Sequence, residues 1–310
     1  MPLDPQCAAL IAAAAQQPPP FNISDPAVAR AAYLAATAGY AYVPGPVACL
    51  NAEFPSATQA IKIRIYRPLQ TPTPLPTLCY FHGGGWALGD LDSHDHLCRH
   101  LAYRAQICVV AVDYRLAPEH LFPAAIDDSV TAVEWVVRNA NLLNIDPARV
   151  AVGGDSAGGQ LAASTALILR DKGASPLRFQ LLIYPVCDFL AENDSLKVNA
   201  TGYLLTRAAY QKFCDWYVPD HTHWGDPQVS PQHATNHANL PPALIQTAEF
   251  DPLRDEGRDY ADTLRAAGNI VEYKCYPGMV HGFARMAAKI DLAKTALDDA
   301  ARALRAALCD

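Results

Sequence analysis

Short apolar or β-branched runs alternate with helix-length segments through most of this sequence, and few folds accommodate that rhythm. Ile61, Ile63 and Ile65 alternate with Lys62, Arg64 and Tyr66, the period-two pattern of a strand wet on one face. Residues 77–81, 107–114, 149–152, 179–184, 243–248 and 270–276 follow, and most suit strands covered on both faces. Between them the spacing predicts a helix capped by Ser93 and running to about Ala105, and another over 124–139. Two more span 158–172 and 255–267, with Gly173 and Gly268 just beyond their ends, and a last one lies near 286–308. Repeated β–α units of this kind predict an α/β fold with a mostly parallel, doubly wound sheet.

Two regions break the rhythm. Residues 1–45 read as one or two helices before any strand, with Asp25–Pro26 as a cap followed by a first-turn proline. Residues 190–225 form an insertion carrying Tyr203, Tyr210, Phe213, Trp216 and Tyr217. Both are assigned to a lid above the C-terminal edge of the sheet, where open α/β sheets bind ligands. The expected organisation is thus N-terminal cap helices at 1–45, a first core part at 46–189, a cap insertion at 190–225 and a second core part at 226–310. The stretches 18–20 and 71–76 are short surface connections rather than linkers.

A chain of 310 residues, 51% apolar and 18% charged, can bury a large single core. Its net charge of −7 offers no basic field, which argues against nucleic acid or anionic lipid as a partner. The nine cysteines form no C-x-x-C pair and are odd in number, so a reducing, cytoplasmic setting is expected. The apolar patch at 7–15 lacks the basic flank of a secretory signal and reads as an amphipathic helix. No stretch approaches the ~20 apolar residues of a membrane span.

The chemistry concentrates after the run at 149–152. Gly154-Asp155-Ser156-Ala157-Gly158 stands between a strand and a helix, the strand–turn–helix setting of a nucleophile elbow. A serine hydroxyl needs a base to take its proton. The acid and the base follow in the order expected of such a fold: Asp251 comes just after one strand and His281 just after the next. Asp251 would orient the ring and His281 would shuttle the proton. Asp251 could instead cap a helix begun by Pro252, and Asp255 and Glu256 are rival acids in its first turn.

Upstream, His82-Gly83-Gly84-Gly85-Trp86 follows another strand, and consecutive glycines let backbone N–H groups converge on one spot. The N–H groups of Gly83 and Gly84, joined by Ala157, are assigned to an oxyanion hole. A phosphate loop is disfavoured, because Asp90 stands where lysine is required and would repel phosphate. His94 and His96, like His221 and His223, have H-x-H spacing without an evident third ligand, so no metal is expected.

Taken with Asp113-Tyr114-Arg115-Leu116-Ala117-Pro118-Glu119, Asp251-Pro252-Leu253-Arg254-Asp255-Glu256 and His281-Gly282-Phe283, these motifs resemble the hormone-sensitive-lipase-like family of bacterial esterases. The resemblance covers nearly all of 25–310. It implies an α/β-hydrolase fold with an eight-stranded sheet and a helical cap, no cofactor, and hydrolysis of short- to medium-chain acyl esters through an acyl-enzyme. It carries over Ser156, Asp251 and His281 as the triad and Gly83, Gly84 and Ala157 as the oxyanion hole. Trp86, Tyr184, Leu204 and Leu205 are assigned to the substrate pocket. An amide, a lactone or a drug-like ester stays open as the substrate of the same triad. A purely ligand-binding member of the fold is disfavoured by the presence of all three triad residues. The sequence does not fix the oligomeric state, and a homodimer stays open.

Overall fold

The computed structural model describes residues 2–16, 25–56, 58–69, 71–72, 74–173 and 175–309, so the connection at 18–20 and part of that at 71–76 lie outside the described residues. Eight strands form one sheet: β1 (Val47–Pro55), β2 (Ala60–Pro68), β3 (Leu75–Phe81), β4 (Cys108–Val112), β5 (Ile145–Asp155), β6 (Leu177–Ile183), β7 (Ala243–Phe250) and β8 (Val271–Val280). Their order is β1-β2-β4-β3-β5-β6-β7-β8. Among the described residues only β2 runs against its neighbours. The sheet is the mostly parallel one that the β–α rhythm implies.

Among the described residues ten α-helices accompany it: α1 (Pro5–Ala14), α2 (Pro26–Thr37), α3 (Asp95–Ala105), α4 (Ala124–Arg138), α5 (Ala140–Leu143), α6 (Ala157–Asp171), α7 (Asp194–Val198), α8 (Arg207–Tyr217), α9 (Arg254–Ala266) and α10 (Asp291–Leu308). Strand side chains alternate between two apolar layers. Val110, Val152, Leu182 and Ile245 join Val133 of α4, Leu161 of α6 and Leu264 of α9. Their chain neighbours Val109, Ala151, Leu181 and Leu244 join Leu101 of α3 and Leu297 and Leu304 of α10. Both faces of the central strands are therefore covered, which is why their sequences read as unbroken apolar runs. Each large aliphatic side chain so buried contributes roughly 2 kcal/mol.

The edge strand β1 had no signature in the sequence. Most of its side chains face solvent, with Leu50 62% exposed, so no buried period-two pattern marks it. It is held by antiparallel pairing from Val47↔Pro68 to Pro55↔Ala60, and by Phe54 stacked on Trp135 with ring centres 5.6 Å apart.

Local capping explains where several helices begin. The Asp25 carboxylate accepts the Ala27 N–H at 2.8 Å and Pro26 opens α2, as expected. Ser93 does not cap α3. Its hydroxyl accepts the Asp90 N–H at 2.9 Å while the Asp90 carboxylate accepts the Ser93 N–H at 2.7 Å, and His94 is the residue before the helix. The last helix starts at Asp291, later than expected, because Phe283–Arg285 forms a 3₁₀ turn after β8. The apolar patch near the N-terminus is helix α1, whose Cys7 is buried against Met279 of β8. After β6 the chain leaves the sheet for α7, α8 and the 3₁₀ turns His221–His223 and Pro231–His233. That excursion continues past residue 225 and returns only at β7.

Candidate active site

Ser156 sits between β5 and α6 with φ 57° and ψ −120°, a conformation that side chains normally avoid. The turn is held by the Ser156 N–H donating to the Ile183 carbonyl at 2.9 Å. It is also walled by backbone. A Cβ at Gly158 would collide with the Phe81 carbonyl oxygen, and one at Gly154 with the Gly158 carbonyl, so only glycine fits either position.

From the ends of β7 and β8 two side chains reach this serine. The Ser156 hydroxyl lies 2.9 Å from His281 Nε2, and His281 Nδ1 lies 2.7 Å from Asp251 Oδ2. Asp251 is fully buried, and its other oxygen accepts the Leu253 N–H at 2.8 Å. That leaves its carboxylate aimed at the ring. Helix α9 begins only at Arg254, so Asp251 is not its cap. The rival acids point elsewhere: Asp255 pairs with Arg254 and Arg258 and accepts the Ser195 N–H, while Glu256 accepts the Cys187 N–H.

The glycine loop after β3 requires one correction. The Gly83 N–H donates to Asp155 Oδ1 at 2.9 Å, so it is not available to a substrate oxygen. Gly84 and Gly85, at φ 123° and 60°, carry the next two N–H groups, and Ala157 opens α6. Three successive glycines could not disclose which N–H group is already taken; the Asp155 carboxylate engages that of Gly83.

Asp155 is buried, accepts the Tyr80 hydroxyl at 2.8 Å, and lies 3.3 Å from His94 Nε2 and 3.9 Å from Arg285 Nε. Burial opposes its charge, but His94, Arg285 and Tyr80 outweigh burial and hold its carboxyl below the usual range.

Of the four residues assigned to the pocket, Trp86 and Tyr184 have no accessible surface, so neither forms an open wall. Trp86 is a strut: its indole lies flat on Tyr217 with centres 4.8 Å apart and donates to Gln160 Oε1 at 2.9 Å. Tyr184 backs the His281 ring, with centres 4.8 Å apart. Leu204 and Leu205 are half-buried just before α8. Sequence reasoning did not single out Phe213 of α8 for a role at the glycine loop. Its ring fills the space where a Gly85 side chain would stand. Nor did it find Arg30 of α2, which donates to the Ala87 carbonyl at 2.8 Å and pairs with Glu119 at 2.7 Å. The histidine pairs have separate partners: His94 faces Asp155, His96 Nε2 donates to the Arg285 carbonyl at 2.7 Å, and His221 pairs with Asp215.

Burial pushes the His94 imidazole down to about 4 despite the neighbouring carboxylate, so the ring is neutral at neutral pH. An unfolded histidine takes up its proton near ~6.5. Between those values the unfolded chain binds more protons, so stability present above ~6.5 is lost as the pH falls toward the folded-state value, by about 3 kcal/mol. His96 and His100 are lowered for the same reason. The urea midpoint should fall across this window, and less steeply in His94→Gln; equal slopes would assign the acid sensitivity to other groups.

A family model described as alpha/beta hydrolase fold matches residues 78–285, which span the glycine loop, the elbow and His281. The chain belongs to the hormone-sensitive-lipase-like esterases of the α/β-hydrolase superfamily. Among esterases of this family, carboxylesterase NlhH of Mycobacterium tuberculosis is 47% identical over 253 residues, covering 80% of this chain and 79% of its own length. The ethyl acetate hydrolase of Pseudomonas putida is 42% identical over 241 residues, 76% of each chain. The ester-hydrolase EH1AB1 from the metagenome of Lake Arreo, solved with a derivative of bipyridine phosphonate, superposes with a TM-score of 0.94 at 41% identity over 98% of both chains. Among the described residues no helix is long and apolar enough to cross a membrane.

Proposed function

We propose that this chain is a serine carboxylesterase acting on short- to medium-chain acyl esters, with Ser156 as nucleophile, His281 as base and Asp251 as the orienting acid. The observation that carries the reading is the unbroken chain Ser156 Oγ–His281–Asp251, 2.9 and 2.7 Å long, starting on a strained serine. His281 takes the hydroxyl proton as Ser156 attacks the ester carbonyl carbon. The resulting oxyanion is met by the N–H groups of Gly84, Gly85 and Ala157, which are fixed in direction before the reaction begins. The imidazolium then protonates the departing alkoxide, leaving an acyl-serine, and a water repeats the cycle in reverse. Asp251 holds the proton-bearing ring nitrogen and stabilises the imidazolium.

Residues 1–45 and 190–225 serve as the cap in this reading. Helices α2 and α8 support it, since Arg30 and Phe213 close on the glycine loop from outside the sheet. An odd number of cysteines with no C-x-x-C pair suits a reducing cytoplasm. Similarity to an ethyl acetate hydrolase favours small acyl and alcohol groups.

Each methylene buried in an apolar pocket contributes about 0.8 kcal/mol until the pocket ends. With p-nitrophenyl esters, kcat/KM should rise from acetyl to a maximum near butyryl to hexanoyl and then fall. A rise continuing to palmitoyl, with emulsified oil hydrolysed readily, would make the protein a lipase. Stoichiometric labelling of Ser156 by an organophosphonate tests the nucleophile directly, and a labelled residue other than Ser156 would overturn it.

A further inference from the structure

A buried carboxylate stands beside the place where negative charge develops. Asp155 precedes the nucleophile, holds the Gly83 N–H at 2.9 Å, and lies so close over Gly83 that a Cβ there would be 2.6 Å from Oδ2. A charge in that position fixes the loop but also opposes an oxyanion formed on the next N–H groups, with little water to screen it. The tyrosines around it, Tyr33, Tyr80 and Tyr184, have their hydroxyls pushed up by burial, and His94 is neutral at neutral pH. Arg285 supplies the balancing charge. Its Nε is 3.9 Å from Asp155 Oδ2, too long for a hydrogen bond but well within Coulombic reach. Its side chain is 10% exposed, and Nη1 has no hydrogen-bond partner among the described residues. Tyr33 of α2 covers the guanidinium, 4.8 Å from the ring centre. A guanidinium kept only for packing would be costly to bury so poorly paired.

We propose that Arg285 is a positioning residue, the counter-charge that lets Asp155 hold the glycine loop through Gly83 without opposing the oxyanion. The inference rests on the serine-esterase reading given above. It is tested by steady-state hydrolysis of p-nitrophenyl butyrate at neutral pH by Arg285→Met, Arg285→Lys, Asp155→Asn and the double substitution Arg285→Met/Asp155→Asn. Asparagine can still accept from Gly83 and Tyr80, but carries no charge that needs balancing.

Arg285→Met should lower kcat by about 10²-fold with KM changed less than about threefold, and Arg285→Lys should stay within about tenfold of the wild type. In the Asp155→Asn background Arg285→Met should cost less than about fivefold. A similar loss in both backgrounds would overturn the proposal, as would an Arg285→Met enzyme with kcat within about twofold of the wild type. Should Arg285→Met fail to fold alone, the double substitution is compared with Asp155→Asn, and a loss there of about 10²-fold overturns it equally. Organophosphonate labelling separates this from the underlying reading. A wild type not labelled at Ser156 sinks the serine mechanism, whereas normal labelling without the background dependence sinks only the role of Arg285.

Discussion

Ser156→Ala is expected to lower kcat for p-nitrophenyl butyrate by about 10⁴-fold or more while the protein stays folded. The loss is large because the hydroxyl is the atom that forms the acyl bond, and His281, 2.9 Å away, has nothing else to deprotonate there. The fold should survive, since the backbone of the elbow is held by the Ser156 N–H bond to Ile183 and not by its side chain. Far-UV circular dichroism and the urea midpoint check the fold; loss of organophosphonate labelling checks the chemistry. A purified variant keeping a tenth of the wild-type rate would end the assignment of Ser156.

Asp251→Asn should cost about as much, on the order of 10⁴-fold in kcat, by a different route. The carboxylate accepts from His281 Nδ1 at 2.7 Å and from the Leu253 N–H at 2.8 Å, both through bonds that need an acceptor. An amide satisfies one and offers a donor to the other. The ring then takes the wrong tautomer, with Nε2 protonated and unable to receive the serine proton. The control is Asp255→Asn. Asp255 holds Arg254, Arg258 and the Ser195 N–H, so its loss should lower stability by roughly 1–3 kcal/mol and leave kcat within about fivefold. The reverse ranking in kcat would make Asp255 the acid.

The sequence disclosed the central strands because they are buried on both faces, and it disclosed the elbow because only glycine fits around a serine forced to positive φ. It said little about β1, whose hold on the sheet is backbone pairing with most side chains in water. Trp86 illustrates a second limit. An aromatic residue beside an active-site loop has the composition of a pocket wall, yet Tyr217 and Gln160, distant in the chain, turn it into a support. Gly83 illustrates a third. Which amide is free depends on an acceptor that a run of identical residues cannot reveal, and here that acceptor lies 72 residues away.

The grip on the glycine loop also has a consequence for the order in which the molecule acquires activity. Arg30 reaches it from 57 residues before, Asp155 from 72 residues after, and Phe213 from later still. The nucleophile waits for a base 125 residues further along. Bringing together partners so far apart in sequence is slow, because the loops must close before the contacts repay it. No shorter stretch holds a working subset, so a chain still emerging from the ribosome, or a refolding intermediate with only its first five strands, has no hydrolytic power. Ester turnover thus reports the last contacts to form, and regain of activity after dilution from urea should trail the recovery of helical circular dichroism.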